Sequence, residues 1–173
     1  MSLLSSSFKG LKSFQKISKK VSQLDYYVAN NSTLEVLKLV SLGNKTFGDN
    51  AVEPMIRELF ALGARTSSQN DATYKTRKIE IKAARYWGGK DHCKWQHLEP
   101  DHDYDMVLFV LLDFTGFKVW AINKDKLMGE LREKKIVTFQ GKQGWWTDKG
   151  KIMPYLTEIT SVEDFTKFAE DAV

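Results

Sequence analysis

The run over residues 104–114, Tyr-Asp-Met-Val-Leu-Phe-Val-Leu-Leu-Asp-Phe, limits the fold more than any other part of the chain. Residues 106–112 are apolar without a break. That is far short of the roughly 20 residues a membrane helix needs. It lacks the two-residue alternation of a strand with one wet face, so it reads as a central strand covered on both faces. Thr115-Gly116 turns the chain, and residues 117–122 read as an antiparallel partner. A strand buried on both sides needs a layer above and a layer below.

The flanking sequence supplies helices for those layers. Leu3, Leu4, Phe8, Leu11, Phe14, Ile17, Val21 and Leu24 recur at spacings of three and four, a helical stripe expected to pack on the core with its lysines solvated. Ser32 with Glu35 reads as a capping box for a helix to about Leu42, stopped by Gly43-Asn44. Asp49 or Asn50 is the expected cap of the next helix, with Pro54 in its first turn and Gly63 as its stop. Its apolar side is Val52, Met55, Ile56, Leu59, Phe60 and Leu62. Residues 123–134 read as a helix with Leu127, Met128 and Leu131 inward. Residues 141–150 read as a loop carrying Trp145 and Trp146, and 155–159 as a last strand. Ser161 then caps a terminal helix packed through Val162, Phe165 and Phe168. No repeat or linker interrupts this order. The expectation is one α/β domain with a central mixed β-sheet flanked by helices: a helical segment over 1–45, a core over 47–122, and a helix-loop-strand-helix over 123–173.

Composition sets outer limits. With 173 residues and 42% hydrophobic content, the chain can bury a core without disulfides or metals as staples. Its single cysteine, Cys93, excludes an intrachain disulfide and points to a reducing, cytoplasmic setting. No sustained apolar segment precedes the N-terminal lysines, so neither a secretory signal nor a membrane anchor is expected. The net charge is +4. Residues 1–24 carry five lysines and no acid, whereas residues 157–173 hold five acids against one lysine. This uneven charge suits a polyanionic partner and equally a solvated surface.

The chemistry concentrates in residues 67–87. In Lys78-Ile79-Glu80-Ile81-Lys82 successive side chains of a strand point to opposite faces, which sets Glu80 and Lys82 together and Ile79 and Ile81 on the core side. Asp71-Ala72-Thr73-Tyr74 is the expected partner strand, with Lys75-Thr76-Arg77 as the turn. Two carboxylates and an ammonium then meet at one end of a hairpin, a grouping able to hold a hard divalent cation and activate water. Glu-x-Lys alone is weak, since roughly one acid-x-Lys triplet is expected by chance in a chain of this length. Glu133-Lys134-Lys135 is another. That triplet lies in a helix followed by a turn, with no upstream acid in a strand. His92, Cys93, His97 and His102 lack the paired spacing of a zinc site. Gly88-Gly89-Lys90 lacks the spaced glycine and the Lys-Ser/Thr ending of a phosphate-binding loop.

Over residues 47–122 the chain resembles the PD-(D/E)xK nuclease superfamily, in particular its small restriction-endonuclease-like members. The residues that carry the likeness are Glu53 on a helix, Asp71 in Asn70-Asp71-Ala72, and Glu80-Ile81-Lys82 on the next strand. Trp95-Gln96-His97, residues 104–109 and Val119-Trp120-Ala121-Ile122 extend it. Asn70 stands where the family has its proline. The resemblance implies a restriction-endonuclease-like core. It also implies Asp71, Glu80 and the main-chain carbonyl of Ile81 as ligands of Mg²⁺, with Mn²⁺ able to substitute. Lys82 would orient or deprotonate the attacking water, and Glu53 would reach the site from its helix. A glutamine near the site is implied too, for which Gln96 is the candidate.

The expected activity is Mg²⁺-dependent hydrolysis of DNA by a Type II restriction endonuclease. The alternatives are a structure-specific repair or recombination nuclease and a catalytically silent DNA-binding module. The partners are double-stranded DNA, a second copy in a two-fold homodimer, and a cognate DNA methyltransferase as functional companion. The N-terminal stripe or the terminal helix is the expected dimer face. Lys75, Arg77, Arg85, Lys90 and Lys94 are candidates for phosphate contact. Gln69, Asn70, Gln96, Lys142 and Gln143 are candidates for DNA recognition. Trp145 and Trp146 either stack on bases or anchor in the core.

Overall fold

The structure, a computed structural model, describes residues 11–87 and 92–171. Leu3, Leu4, Phe8 and Lys90, and the side chains of Phe14 and Val21, lie outside that description. Helix α1 (Lys12–Ala29) closes with Asn31 at a left-handed φ of 59°, which lets Ser32 N–H reach Tyr27 O at 3.1 Å. Among the described residues the stripe packs toward its C-terminal end. Tyr27 is fully buried and Leu24 lies against the core, whereas Leu11 and Ile17 are 51% and 60% exposed.

Helix α2 (Leu34–Val40) is capped by Thr33, whose hydroxyl accepts from Val36 N–H at 3.4 Å. Ser32, the expected cap, donates instead to Phe114 O at 2.8 Å and ties this turn to the sheet. A π-helical segment, Thr46–Val52, runs directly into α3 (Glu53–Leu59). The helix therefore begins ahead of Asp49 and Asn50. Pro54 has no N–H to give, and the widened turn before it, with Glu53 N–H bonded to Gly48 O, accommodates its ring. Ala61, at φ 51°, ends α3 in place of Gly63, and Leu62 N–H bonds Arg57 O at 2.8 Å.

The remaining elements follow in order. They are β1 (Gly63–Ala64), β2 (Ala72–Tyr74), β3 (Arg77–Arg85), β4 (Lys94–Trp95), β5 (Met106–Asp113), β6 (Gly116–Asn123), α4 (Lys124–Met128), α5 (Glu130–Glu133), β7 (Val137–Phe139), β8 (Trp145–Asp148), α6 (Lys149–Ile152), β9 (Thr157–Ile159) and α7 (Val162–Asp171). Six strands form a mixed sheet in the order β1-β2-β3-β5-β6-β9, and a smaller sheet has the order β4-β8-β7. Within the larger sheet only the β3–β5 pair is parallel.

Both faces of β5 are covered, which is why its sequence has no polar alternation. On one face Phe47 stacks on Phe117 and Phe60 on Phe165, bringing helices over the sheet. On the other, Trp95 lies 4.8 Å from Phe109 and 6.2 Å from Trp120 between ring centroids. Its indole N–H donates to Val110 O at 3.1 Å. β4 and the small sheet thus form the second layer.

Three expectations change here. The helix over 123–134 breaks into α4 and α5 at Gly129, where an added Cβ would lie 2.6 Å from Asp125 O. Trp145 and Trp146 stand in β8, because Gly141 and Gly144 take positive φ and close a short connection to β7. Ser161 does cap α7, accepting from Asp164 N–H at 3.0 Å, and Phe165 is buried, but Val162 is 45% exposed. No helix among the described residues is long and apolar enough to cross a membrane.

Candidate active site

The hairpin β2–β3 is short on one side. β2 ends at the Ala72↔Ile79 pair, so from Glu80 onward the outer edge of β3 carries no strand among the described residues. That open edge lines a cleft of about 950 Å³. The π-segment and the start of α3 form one wall with Phe47, Asp49 and Glu53, and the chain after β4 forms another with Gln96, His97 and Glu99.

Alternation along β3 places Glu80 and Lys82 on one face, as the sequence predicts. The setting is drier than a solvent-facing hairpin, because β4 and its neighbours cover that face. Glu80 is 5% exposed, and its Oε1 lies 2.5 Å from Lys82 Nζ. Burial raises the Glu80 carboxyl above its ordinary range, partly offset by the Lys82 charge.

Asp71 sits just before β2. Its N–H donates to Ile79 O at 2.9 Å, and its Oδ2 accepts from Ile81 N–H at 2.8 Å. A residue's N–H and C=O leave a strand on the same edge. The Ile81 carbonyl therefore shares the open edge with Asp71. Glu53 approaches from α3, paired with Arg57 at 3.6 Å. Its carboxyl is pushed up to about 7, first by burial, then by the negative charges of Asp71 and Asp49.

These facts decide whether a hard divalent cation fits. Glu53, Asp71 and Glu80 crowd like charge together, answered by Lys82 at Glu80 and by Arg57 at Glu53. Among the described residues no three His, Cys, Asp or Glu side chains form a metal-holding group by themselves. Mg²⁺ does not require one, since it keeps several waters and takes one or two carboxylates. Asp71, Glu80 and the Ile81 carbonyl suit that demand.

The residues expected to meet DNA divide. Gln96 and Gln143 line the cleft. Lys142 is exposed beside Gln143, and Gln69 is exposed in the turn after β1, its N–H on Ser67 Oγ at 3.1 Å. Asn70 and Arg85 turn inward instead. Asn70 is 1% exposed, accepts from Thr66 N–H at 3.0 Å, and donates to Thr66 Oγ1 and Asp103 O. These bonds fasten the turn that carries Asp71. Arg85 donates to Val40 O at 2.8 Å, Leu42 O at 2.7 Å and Asn44 Oδ1 at 2.6 Å, with Phe47 against its guanidinium. It closes the end of α2 rather than facing a ligand. Away from the cleft, Lys75 pairs with Glu170, and Arg77 donates to Asn123 Oδ1 at 2.6 Å.

Sequence reasoning passed over Asp49, Glu99 and His102, which also line the cleft. Asp49 had a signal, since it precedes Glu53 by four residues and so lies one helical turn away. Glu99 had none. It is brought in by the chain after β4, where Leu98 N–H bonds Trp145 O at 2.9 Å and Gly144 leaves room beside the Glu99 carboxylate. No family model and no curated protein sequence matches the chain.

Proposed function

We propose that the protein is a Mg²⁺-dependent DNA endonuclease of the restriction type, with a restriction-endonuclease-like core. The observation that carries this reading is a convergence. Glu53 from α3, Asp71 from before β2, and Glu80 and Lys82 from β3 meet at one open strand edge in one cleft. Five acids line that cleft, Asp49, Glu53, Asp71, Glu80 and Glu99. Such a surface repels a polyanion unless cations offset it.

When bound, Mg²⁺ supplies charge neutralisation at the phosphate and a more acidic water. The chain's own residues do the rest. Asp71 and Glu80 present carboxylate oxygens beside the Ile81 carbonyl. The bond from Ile81 N–H fixes Asp71 and leaves its second oxygen to the cleft. Lys82, held by Glu80, orients the attacking water through Nζ and meets the phosphate oxygen that gains charge. Glu53 adds a carboxylate at the rim. A two-fold homodimer would bring one such cleft to each DNA strand.

Two substitutions test the assignment. Asp71→Asn keeps an oxygen for Ile81 N–H but removes the charge, and Lys82→Met removes the ammonium. Each is expected to lower Mg²⁺-dependent cleavage of duplex DNA by about 10²-fold or more while the folded protein still binds DNA. Wild-type cleavage rates in either variant would overturn the assignment. A branched substrate run in parallel separates a structure-specific nuclease from a sequence-specific one.

A further inference from the structure

Among the described residues lining the cleft, ammonium or guanidinium groups belong to Lys82, Arg85 and Lys94. Lys82 is held by Glu80, and Arg85 closes α2. Lys94 is placed differently. It stands opposite Asp148 in the β4–β8 register, yet Asp148 is turned to cap α6, its Oδ1 accepting from Gly150 N–H at 2.9 Å. Lys94 Nζ sits over rings instead, 3.4 Å from the centroid of Trp146 and 5.2 Å from that of Trp87. A ring face holds an ammonium in place without neutralising its charge. β8 in turn holds Trp146 by pairing it with Thr138.

We propose that Lys94, seated on Trp146, is a phosphate anchor of the cleft and takes a backbone phosphate of the bound strand next to the one being cut. The proposal rests on the nuclease reading and extends it. A polyanion entering an acid-lined cleft needs a cation set apart from the carboxylates, in a fixed place and with its full charge. Among the described residues Lys94 forms no ion pair with a carboxylate of the cleft, and its seat on Trp146 fixes its place. It acts by positioning the strand, so its loss falls on KM rather than on kcat.

The test measures binding of a fluorescent duplex by the full chain, with Ca²⁺ in place of Mg²⁺, over a salt series. Lys94→Gln is expected to weaken affinity about tenfold at low salt and to flatten the slope of log K against log salt by about 1. Lys94→Arg is expected to restore the slope, because it keeps the charge and the ring contact. An unchanged slope in Lys94→Gln, or a loss that Lys94→Arg does not rescue, overturns the proposal. Inorganic phosphate added at constant ionic strength is expected to leave duplex affinity unchanged. Competition that depends on Lys94 would assign a free-phosphate site and overturn the backbone assignment. If the wild-type protein binds no duplex, the nuclease reading falls and this proposal with it. If it binds with a slope indifferent to Lys94, only this proposal falls.

Discussion

At the scale of single residues the site is a problem in charge, and Glu53 states it most plainly. Its carboxyl rises from 4.5 to about 7 through burial and through Asp71 and Asp49. Between those two pH values the unfolded chain gives up the proton while the folded chain keeps it. The contribution of Glu53 to stability is therefore most favourable below pH 4.5, falls across this window, and is a constant cost above it, on the order of 3 kcal/mol. In EDTA, Glu53→Gln is expected to be more stable than wild type at about pH 8, by about 1–3 kcal/mol, and equal to it near pH 4. Urea denaturation at the two pH values checks this, and an equal difference at both would contradict it. Of the acids around Glu53, Asp71 and Glu80 were legible in the sequence and Asp49 was not singled out as one of them. Glu80 and Lys82 fall at alternate positions, and a strand sends alternate positions to one face. Their depth was not legible, because it depends on β4, a two-residue strand too short to carry a pattern of its own.

At the scale of elements, inward-turned side chains organise the cleft wall. Arg85 joins β3 to the end of α2 through three main-chain carbonyls and Asn44. Arg85→Met is expected to cost about 2–3 kcal/mol in chemical denaturation, with early loss of amide protection at the end of α2. Arg85→Lys should recover only part, since one ammonium cannot reproduce the planar fork. The salt slope of DNA binding should not change in either variant, in contrast to Lys94→Gln. The sequence shows Arg85 as one more basic residue near an acidic motif. What sets it apart is the course of α2, whose carbonyls end over the β3 terminus. Pro54 does lie in the first turn of α3, as its place in the pattern implied, but the π-helical segment ahead of it had no local signal. That segment extends the helical path ahead of the proline, past the expected cap at Asp49 or Asn50. Long or strongly patterned elements, such as β5 and α7, were readable. Of the short ones, β2 and β9 were read from their neighbours, whereas β7 and β8 were not, because a few residues carry no period.

At the scale of the molecule, the carboxylates and their closure come from different parts of the chain. Glu53, Asp71, Glu80 and Lys82 lie close in sequence, so their order could be read directly. Gln143 reaches the cleft, and Trp146 reaches Lys94 at its wall, only through the β4–β8 pairing, which joins residues about fifty positions apart. No local pattern announces such a pairing. The result is a strand edge left open beside a concentration of acid, walled by the π-helical segment on one side and the chain after β4 on the other. If that edge is a nuclease centre, the most direct measurement is incubation of the purified chain with a long unmodified DNA duplex, in Mg²⁺ and in EDTA. The predicted result is a set of discrete fragments in Mg²⁺ and intact duplex in EDTA. Intact duplex in both, from protein shown to be folded, would contradict the account.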